Sequence, residues 1–201
     1  AFKYRTPVMV QSDGAIGQMM EKVEIGDQKP RLTEEEIIKN CPWATTGKTS
    51  NRERNIITSL NLESQVQENH NRKLQKKYRE IEANEVRFEE ILCEDAEYIF
   101  VAYGTSARIC QKSIQILRKK GIKVGLVRPI TLYPFPKDHF FKMAGHIKGI
   151  LSVEMSAGQM IEDIKLSVEG KVPVYHFGRM GGIVPSPTEV ADFLEHQFIK
   201  G

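Results

Sequence analysis

Tyr98-Ile-Phe-Val-Ala-Tyr103, followed at once by Gly104-Thr-Ser-Ala107, decides the fold. An apolar run with no polar alternation is the mark of a strand covered on both faces, and such strands belong to parallel sheets. The glycine-led exit then turns the chain into a helix, predicted over Ala107 to Lys120. Ile109, Ile114 and Leu117 line that helix. Gly121 ends it, with Arg118, Lys119 and Lys120 just before the end, where cations favour a helix C-terminus. A second strand is predicted at Lys123 to Val127, broken by Arg128-Pro129, and Pro134 and Pro136 keep the next stretch irregular. A helix is expected near Lys137 to Ala144 and a third strand at Gly149 to Val153. The stretch Ser156-Ala-Gly158-Gln159 reads as a capping box opening a helix through Val168. A fourth strand spans Val172 to Phe177. After a glycine-rich turn, Ser186-Pro-Thr-Glu189 starts a last helix with an N-cap serine, proline at the first helical position and glutamate at the third. Strand and helix therefore alternate through residues 95–201, which predicts an α/β domain: a mostly parallel sheet with helices on both faces.

Upstream the pattern changes. Between Leu62 and Ile91, Leu74, Tyr78, Ile81 and Phe88 recur among Lys, Arg and Glu. That predicts one long amphipathic helix with a narrow apolar stripe. The stripe suits either a surface helix of its own domain or a contact between subunits. Residues 26–61 hold no sustained period; Pro30, Pro42 and Gly47 interrupt them, and Thr33-Glu-Glu-Glu36 opens one short helix. Together, residues 26–94 read as a connecting arm and long helix. In 1–25, Thr6 to Ser12 reads as a short buried strand, Asp13-Gly14 as its closing turn, and Ile16 to Glu24 as a helical stub. A strand and a stub cannot bury a face by themselves. The expectation is that the rest of this unit lies upstream of Ala1; the alternative is an edge unit after a processed methionine.

Composition narrows the function classes. The 201 residues are 40% hydrophobic and 27% charged, ordinary for a globular chain, with a formal net charge of +3. So small a surplus, with no basic tract, argues against a dedicated nucleic-acid binder. No run approaches the roughly 20 apolar residues of a membrane span, and no secretory leader pattern opens the sequence. Cys41, Cys93 and Cys110 are odd in number and widely spaced, which fits free thiols in a reducing cytoplasm better than a disulfide framework.

The chemical motifs mostly fail. Gly47-Lys48-Thr49 is the tail of a phosphate-binding P-loop, but the glycine required five residues earlier is Pro42, which has no N–H to offer. Gly104, Thr105 and Ser106 stand where a dinucleotide fold keeps its glycine fingerprint, with one glycine of three. The turn either aims N–H groups at an anion or is a plain strand-to-helix turn capped by Thr105 or Ser106. No Cys-x-x-Cys and no His-x-x-x-His occur, so neither zinc nor an iron–sulfur cluster is expected in this chain. Glu154, ending the third strand, is either a ligand contact or a helix-end partner. Arg128, ending the second, is placed to pair with Glu154 or with a neighbouring subunit. Gly158 sits in the helix-opening turn, and His176 adjoins Gly178-Arg-Met-Gly-Gly182. None of these makes a nucleophile–base pair.

Six segments together carry a resemblance: Ser12-Asp-Gly-Ala-Ile-Gly-Gln-Met-Met-Glu21, Cys41-Pro-Trp-Ala-Thr-Thr-Gly47, Lys77-Tyr-Arg-Glu-Ile-Glu82, Val101-Ala-Tyr-Gly-Thr-Ser-Ala-Arg108, Gly121-Ile-Lys-Val-Gly-Leu-Val-Arg-Pro-Ile-Thr-Leu132 and Gly178-Arg-Met-Gly-Gly-Ile-Val-Pro185. They resemble the alpha subunit of 2-oxoacid:ferredoxin oxidoreductases, in particular the branched-chain type acting on 3-methyl-2-oxobutanoate. The resemblance implies a complex that uses thiamine diphosphate, coenzyme A and iron–sulfur clusters, with beta, gamma and ferredoxin-like partner subunits and ferredoxin as acceptor. It implies that 1–25 end a thiamine pyrimidine-binding domain and that 95–201 form a transketolase C-terminal-like domain. The family's activating glutamate would lie upstream and matches no position here. Ser156 stands where asparagine is expected; both cap helices. The expected role is a non-catalytic, assembly-making part of such a subunit. The competing expectation is a free-standing anion- or nucleotide-binding module built on Gly104 to Arg108.

Overall fold

The structure, a computed structural model, describes residues 1–28, 30–45, 47–48 and 53–200. Thr46 and Thr49, which belong to motifs discussed above, lie outside them. The chain divides into two compact units: Ala1–Val10 with Met20–Arg79, and Gln11–Met19 with Glu80–Gly201.

In the first unit, helix α2 (Glu34–Asn40) carries the capping box expected at Thr33. Thr33 N–H donates to Glu36 Oε2 at 2.8 Å and Glu36 N–H donates to Thr33 Oγ1 at 3.3 Å. Phe2, Arg5, Trp43 and Ile57 line an open hollow of about 370 Å³. The Arg5 guanidinium lies 4.8 Å from the Trp43 ring centre. Thr6 to Ser12 is not the strand expected from its apolar run. It pairs with no described strand, and Val10 is 92% exposed. A strand needs a ladder partner for its N–H and C=O groups, and hydrophobicity does not supply one. The long helix α3 (Ser64–Glu85) follows, with Leu74 and Tyr78 half-buried and Ile81 buried, so the narrow stripe is present.

The second unit begins with a short helix α1 (Gly14–Gln18), shorter than the stub read from Ile16 to Glu24. Phe88, expected on the long helix, instead opens strand β1 (Phe88–Ile91). Beyond it the chain runs β2 (Tyr98–Val101), α4 (Gly104–Lys119), β3 (Val124–Pro129), α5 (Lys137–Met143), β4 (Gly149–Glu154), α6 (Met160–Val168), β5 (Val174–Gly178) and α7 (Pro187–Glu195), then a π-helical turn at His196–Lys200. The sheet order is β1-β3-β2-β4-β5. β3, β2, β4 and β5 are parallel; β1 joins the edge antiparallel to β3, with Phe88 opposite Pro129 and Ile91 opposite Leu126.

The expected mostly parallel sheet with helices on both faces is thus present, and β2 shows why its sequence decided the matter. Tyr98, Phe100 and Ala102 face a core shared with Ile114 and Leu117 of α4 and Val190 and Leu194 of α7. Ile99 and Val101 face a second core shared with Phe140 of α5 and Ile164 of α6. Both faces are buried, so no polar alternation survives. The register places Tyr98 opposite Val124 on one side and Gly149 on the other. Gly149 is required there: a β-carbon would run into the Phe198 ring.

Two boundaries differ from expectation. Arg128-Pro129 extends β3 instead of breaking it. The β2 register ends at Val127, so at Pro129 only β1 is alongside and the missing N–H disturbs no central ladder. The helix after β2 starts at Gly104, not Ala107, with Gly104 at φ +57°. That left-handed conformation carries no steric penalty for glycine.

Candidate functional site

In an open parallel sheet the crevice for ligands lies outside the carboxyl ends of the strands, where the strand order reverses. Here the reversal falls between β2 and β4, because α4 leads from β2 to one side and α6 leads from β4 to the other. Gly104, Thr105 and Ser106 stand at one wall of this crevice and Glu154 and Gly158 at the other.

Glu154 is 4% exposed, yet it is fully engaged. Its Oε2 accepts from the N–H groups of Gln159 at 2.9 Å and Met160 at 3.0 Å and from the Ser156 hydroxyl at 3.0 Å. Its Oε1 accepts from Ile161 N–H at 3.0 Å and the Ser152 hydroxyl at 2.8 Å. Burial pushes this carboxyl up, but the five donors outweigh burial and hold it below the usual glutamate range. Glu154 therefore caps α6. The expected capping box at Ser156 is absent as such: α6 begins at Met160 with no side-chain cap of its own, and Ser156 donates to Glu154 while accepting from Gly158 N–H at 3.3 Å. A buried carboxylate makes stronger, charge-assisted bonds to helix-end N–H groups than a serine hydroxyl does. Gly158, at φ +106°, lets the chain double back beneath the carboxylate.

The second wall is closed by a residue of the chain's own. Asp13 Oδ2 accepts from Thr105 N–H at 3.0 Å, and Asp13 Oδ1 accepts from the Thr105 hydroxyl at 3.0 Å and from Ile16 N–H at 2.8 Å. Burial raises the Asp13 carboxyl, and these donors bring it below the usual range. Neither Thr105 nor Ser106 caps α4 with its own side chain; Tyr103 holds the N-cap position without a side-chain bond. Tyr103 is 42% exposed. Burial first, and then the charge of Glu154, raise its hydroxyl above the usual range.

Arg128 does not reach Glu154. Its Nη2 lies 2.6 Å from Glu89 Oε2 across the β1–β3 ladder, at the 89–128 register pair. The neighbour Glu154 does have is His176 of β5, whose Nε2 is 3.8 Å from Glu154 Oε1 and makes no hydrogen bond among the described residues. A β-carbon at Gly178 would overlap the His176 ring and the Ser156 carbonyl, so glycine fixes the close packing of the β4 and β5 ends.

Among the described residues no group of three His, Cys, Asp or Glu is arranged to hold a metal. Cys110 is buried and its thiol is pushed up by that burial; Cys93, also raised chiefly by burial, reaches about 11. The site-forming residues missed in the sequence are Asp13 and Ser152. Ser152 had a legible signal, since it stands two residues before Glu154 on the same strand face. Asp13 had none, because its partner Thr105 lies 92 positions away.

The comparisons with known proteins agree with this α/β frame. Residues 96–190 match the family model of pyruvate:ferredoxin oxidoreductase core domain II. The whole chain is 44% identical over 97% of its length to ketoisovalerate oxidoreductase subunit VorB of Methanothermobacter thermautotrophicus, and covers 53% of that subunit. It is 29% identical over 94% of its length to 2-oxoglutarate synthase subunit KorA of Methanocaldococcus jannaschii, covering 56%. The chain thus spans about half the length of the curated relatives it matches. In fold, the chain superposes on 2-oxoglutarate:ferredoxin oxidoreductase from Magnetococcus marinus, solved with 2-oxoglutarate, coenzyme A and succinyl-CoA. The TM-score is 0.60 at 19% identity, over 69% of this chain and 24% of that one. No described helix is long and apolar enough to cross a membrane.

Proposed function

We propose that this chain is part of a subunit of a 2-oxoacid:ferredoxin oxidoreductase and that its core domain II serves assembly, not bond making. The observation that carries the reading is the combination of the family match over 96–190 with a carboxyl-edge crevice whose buried carboxylate and Thr105 amide are engaged internally. Glu154 is spent on capping α6, and the α4 amide that an anion would need is held by Asp13. The six-segment likeness to the branched-chain type and the 44% identity to VorB favour 3-methyl-2-oxobutanoate as the substrate of the complete enzyme. In that enzyme, thiamine diphosphate and coenzyme A would carry the oxoacid chemistry and iron–sulfur clusters the electrons. On this reading those groups are held by other parts of a cytoplasmic complex. Residues 1–25 then belong to the end of a pyrimidine-binding domain, and 26–87 are the connecting arm and helix, with β1 (Phe88–Ile91) already part of the core sheet.

The test is co-expression of the full-length subunit with its beta, gamma and ferredoxin-like partners, followed by oxoacid- and coenzyme-A-dependent reduction of a viologen dye. Association with turnover, preferring the branched oxoacid, is the expected result. A full-length subunit that neither associates nor supports turnover would sink the proposal. Calorimetry on the 201-residue chain addresses the free-standing module: micromolar binding of a nucleotide or coenzyme A would favour it.

A further inference from the structure

We propose that Asp13 is a latch: one carboxylate closes the N-termini of two helices distant in sequence and straps residues 11–19 onto the core domain at the wall of its crevice. Within α1, Asp13 is the N-cap, accepting from Ile16 N–H. Across 92 positions it accepts from both the amide and the hydroxyl of Thr105 in the first turn of α4. The seat is shaped for it. Gly104 is left-handed at φ +57°, and a β-carbon there would lie 2.8 Å from Asp13 Oδ2, too close for a side chain, with Ile16 Cδ1 in ordinary contact at 3.7 Å. The connectivity supports a strap. Residues on both sides of it, up to Val10 and from Met20, group with the other compact unit, while Gln11–Met19 group with the core domain.

α1 is five residues long and buries none of them. A helix so short does not hold itself in water; Ala15 and Ile16 are only half-buried. The carboxylate bonds tie this strap to the first turn of α4, so their loss is expected to release it. The latch is independent of which oxoacid, if any, the complete enzyme uses.

The chemistry suggests a discriminating variant. In Asp13→Asn the amide oxygen can keep the Oδ1 bonds, so α1 stays capped, since Asn caps as well as Asp. Its NH2, however, then faces the Thr105 N–H. The experiment is NMR on the full 201-residue chain, comparing wild type, Asp13→Asn, Asp13→Ala and Thr105→Val. Two readouts are taken: amide exchange at Thr105, and the NOE between the Ile16 δ1 methyl and the Gly104 α protons. In wild type the NOE is present. Asp13→Ala is expected to speed Thr105 exchange by about tenfold or more and to remove the NOE; Asp13→Asn, which keeps the Oδ1 bond to the Thr105 hydroxyl, should speed exchange as much but only weaken the NOE, with Thr105→Val intermediate. Exchange across Tyr98–Val101 serves as the folding control and is expected to stay unchanged. Retention of both the NOE and Thr105 protection in Asp13→Asn and Asp13→Ala would overturn the proposal. So would loss of protection at Thr105 with the NOE intact, because the bond would then be a local cap and not an attachment.

Discussion

Replacing Glu154 tests the central claim about the crevice, that its one buried carboxylate is structural. Consider Glu154→Gln. The carboxylate accepts two bonds at Oε1 and three at Oε2. An amide keeps one acceptor oxygen. Its least costly orientation puts that oxygen at the Oε2 position and turns the NH2 toward Ser152 and Ile161. Ser152 can rotate to accept, but the Ile161 N–H is left facing a donor. An orphaned buried donor costs about 1–3 kcal/mol, and losing the charge at the start of α6 adds roughly 0.3–2 kcal/mol. The expected loss is therefore about 2–4 kcal/mol. Glu154→Ala strands all three α6 amides and should lose at least as much, a large share of the ~5–15 kcal/mol that holds a domain together. The assay is urea denaturation followed by far-UV circular dichroism, because the single tryptophan, Trp43, belongs to the other compact unit and reports on it instead. At an m-value of about 2 kcal/mol/M, the midpoint falls by about 1–2 M. A Glu154→Gln protein within about 0.5 kcal/mol of wild type would refute the reasoning and reopen Glu154 as a group kept for a ligand.

The same carboxylate sets an acid limb. Its folded-state pKa is lowered, so the stability it confers is full above the ordinary glutamate range and is lost as pH falls through the folded value; the gap between wild type and Glu154→Gln should narrow steadily in urea melts below about pH 4.5. Gly149→Ala should cost about 1–3 kcal/mol by overpacking against Phe198, and the double variant with Phe198→Leu should cost less than the sum of the two singles. Phe100→Ala, at the centre of the sheet and fully buried, should cost about 3–5 kcal/mol; thermal melts that scarcely move would contradict the assigned core. Pulsed iodoacetamide at pH 7.5 should leave Cys110 unmodified in the native state and label it fully in denaturant, since its thiol is buried and protonated.

The sheet was legible because its strands obey a local rule. Continuous burial of β2 leaves a continuous apolar run, and turn and cap residues mark the helix ends. The capping boxes at Thr33 and Ser186 form as expected because each bond spans three residues. The readings that failed depended on partners far away. Thr6 to Ser12 has a strand's composition and no strand beside it. Phe88 fits the helical period, but pairing with Pro129 of β3 captures it for the sheet. Arg128 was matched to the wrong acid because β1, which carries Glu89, had not been recognised. Ser156 has the spacing of a cap, and a carboxylate two residues upstream displaces it. At the crevice, Glu154 and the Gly104 turn were placed correctly by the alternation of strands and helices, while their engagement by Ser152 and Asp13 lies in three dimensions.

β1 has a consequence for the order in which the domain assembles. It precedes β2 in the chain, yet it lies beside β3, and its place does not exist until residues 124–129 have joined β2. The segment made first is thus the one fixed last. Were the edge ladder to open, the four parallel strands would keep all their mutual pairings. The long helix ends at Glu85, and with only Val86 and Arg87 between, it joins the core domain through this edge strand.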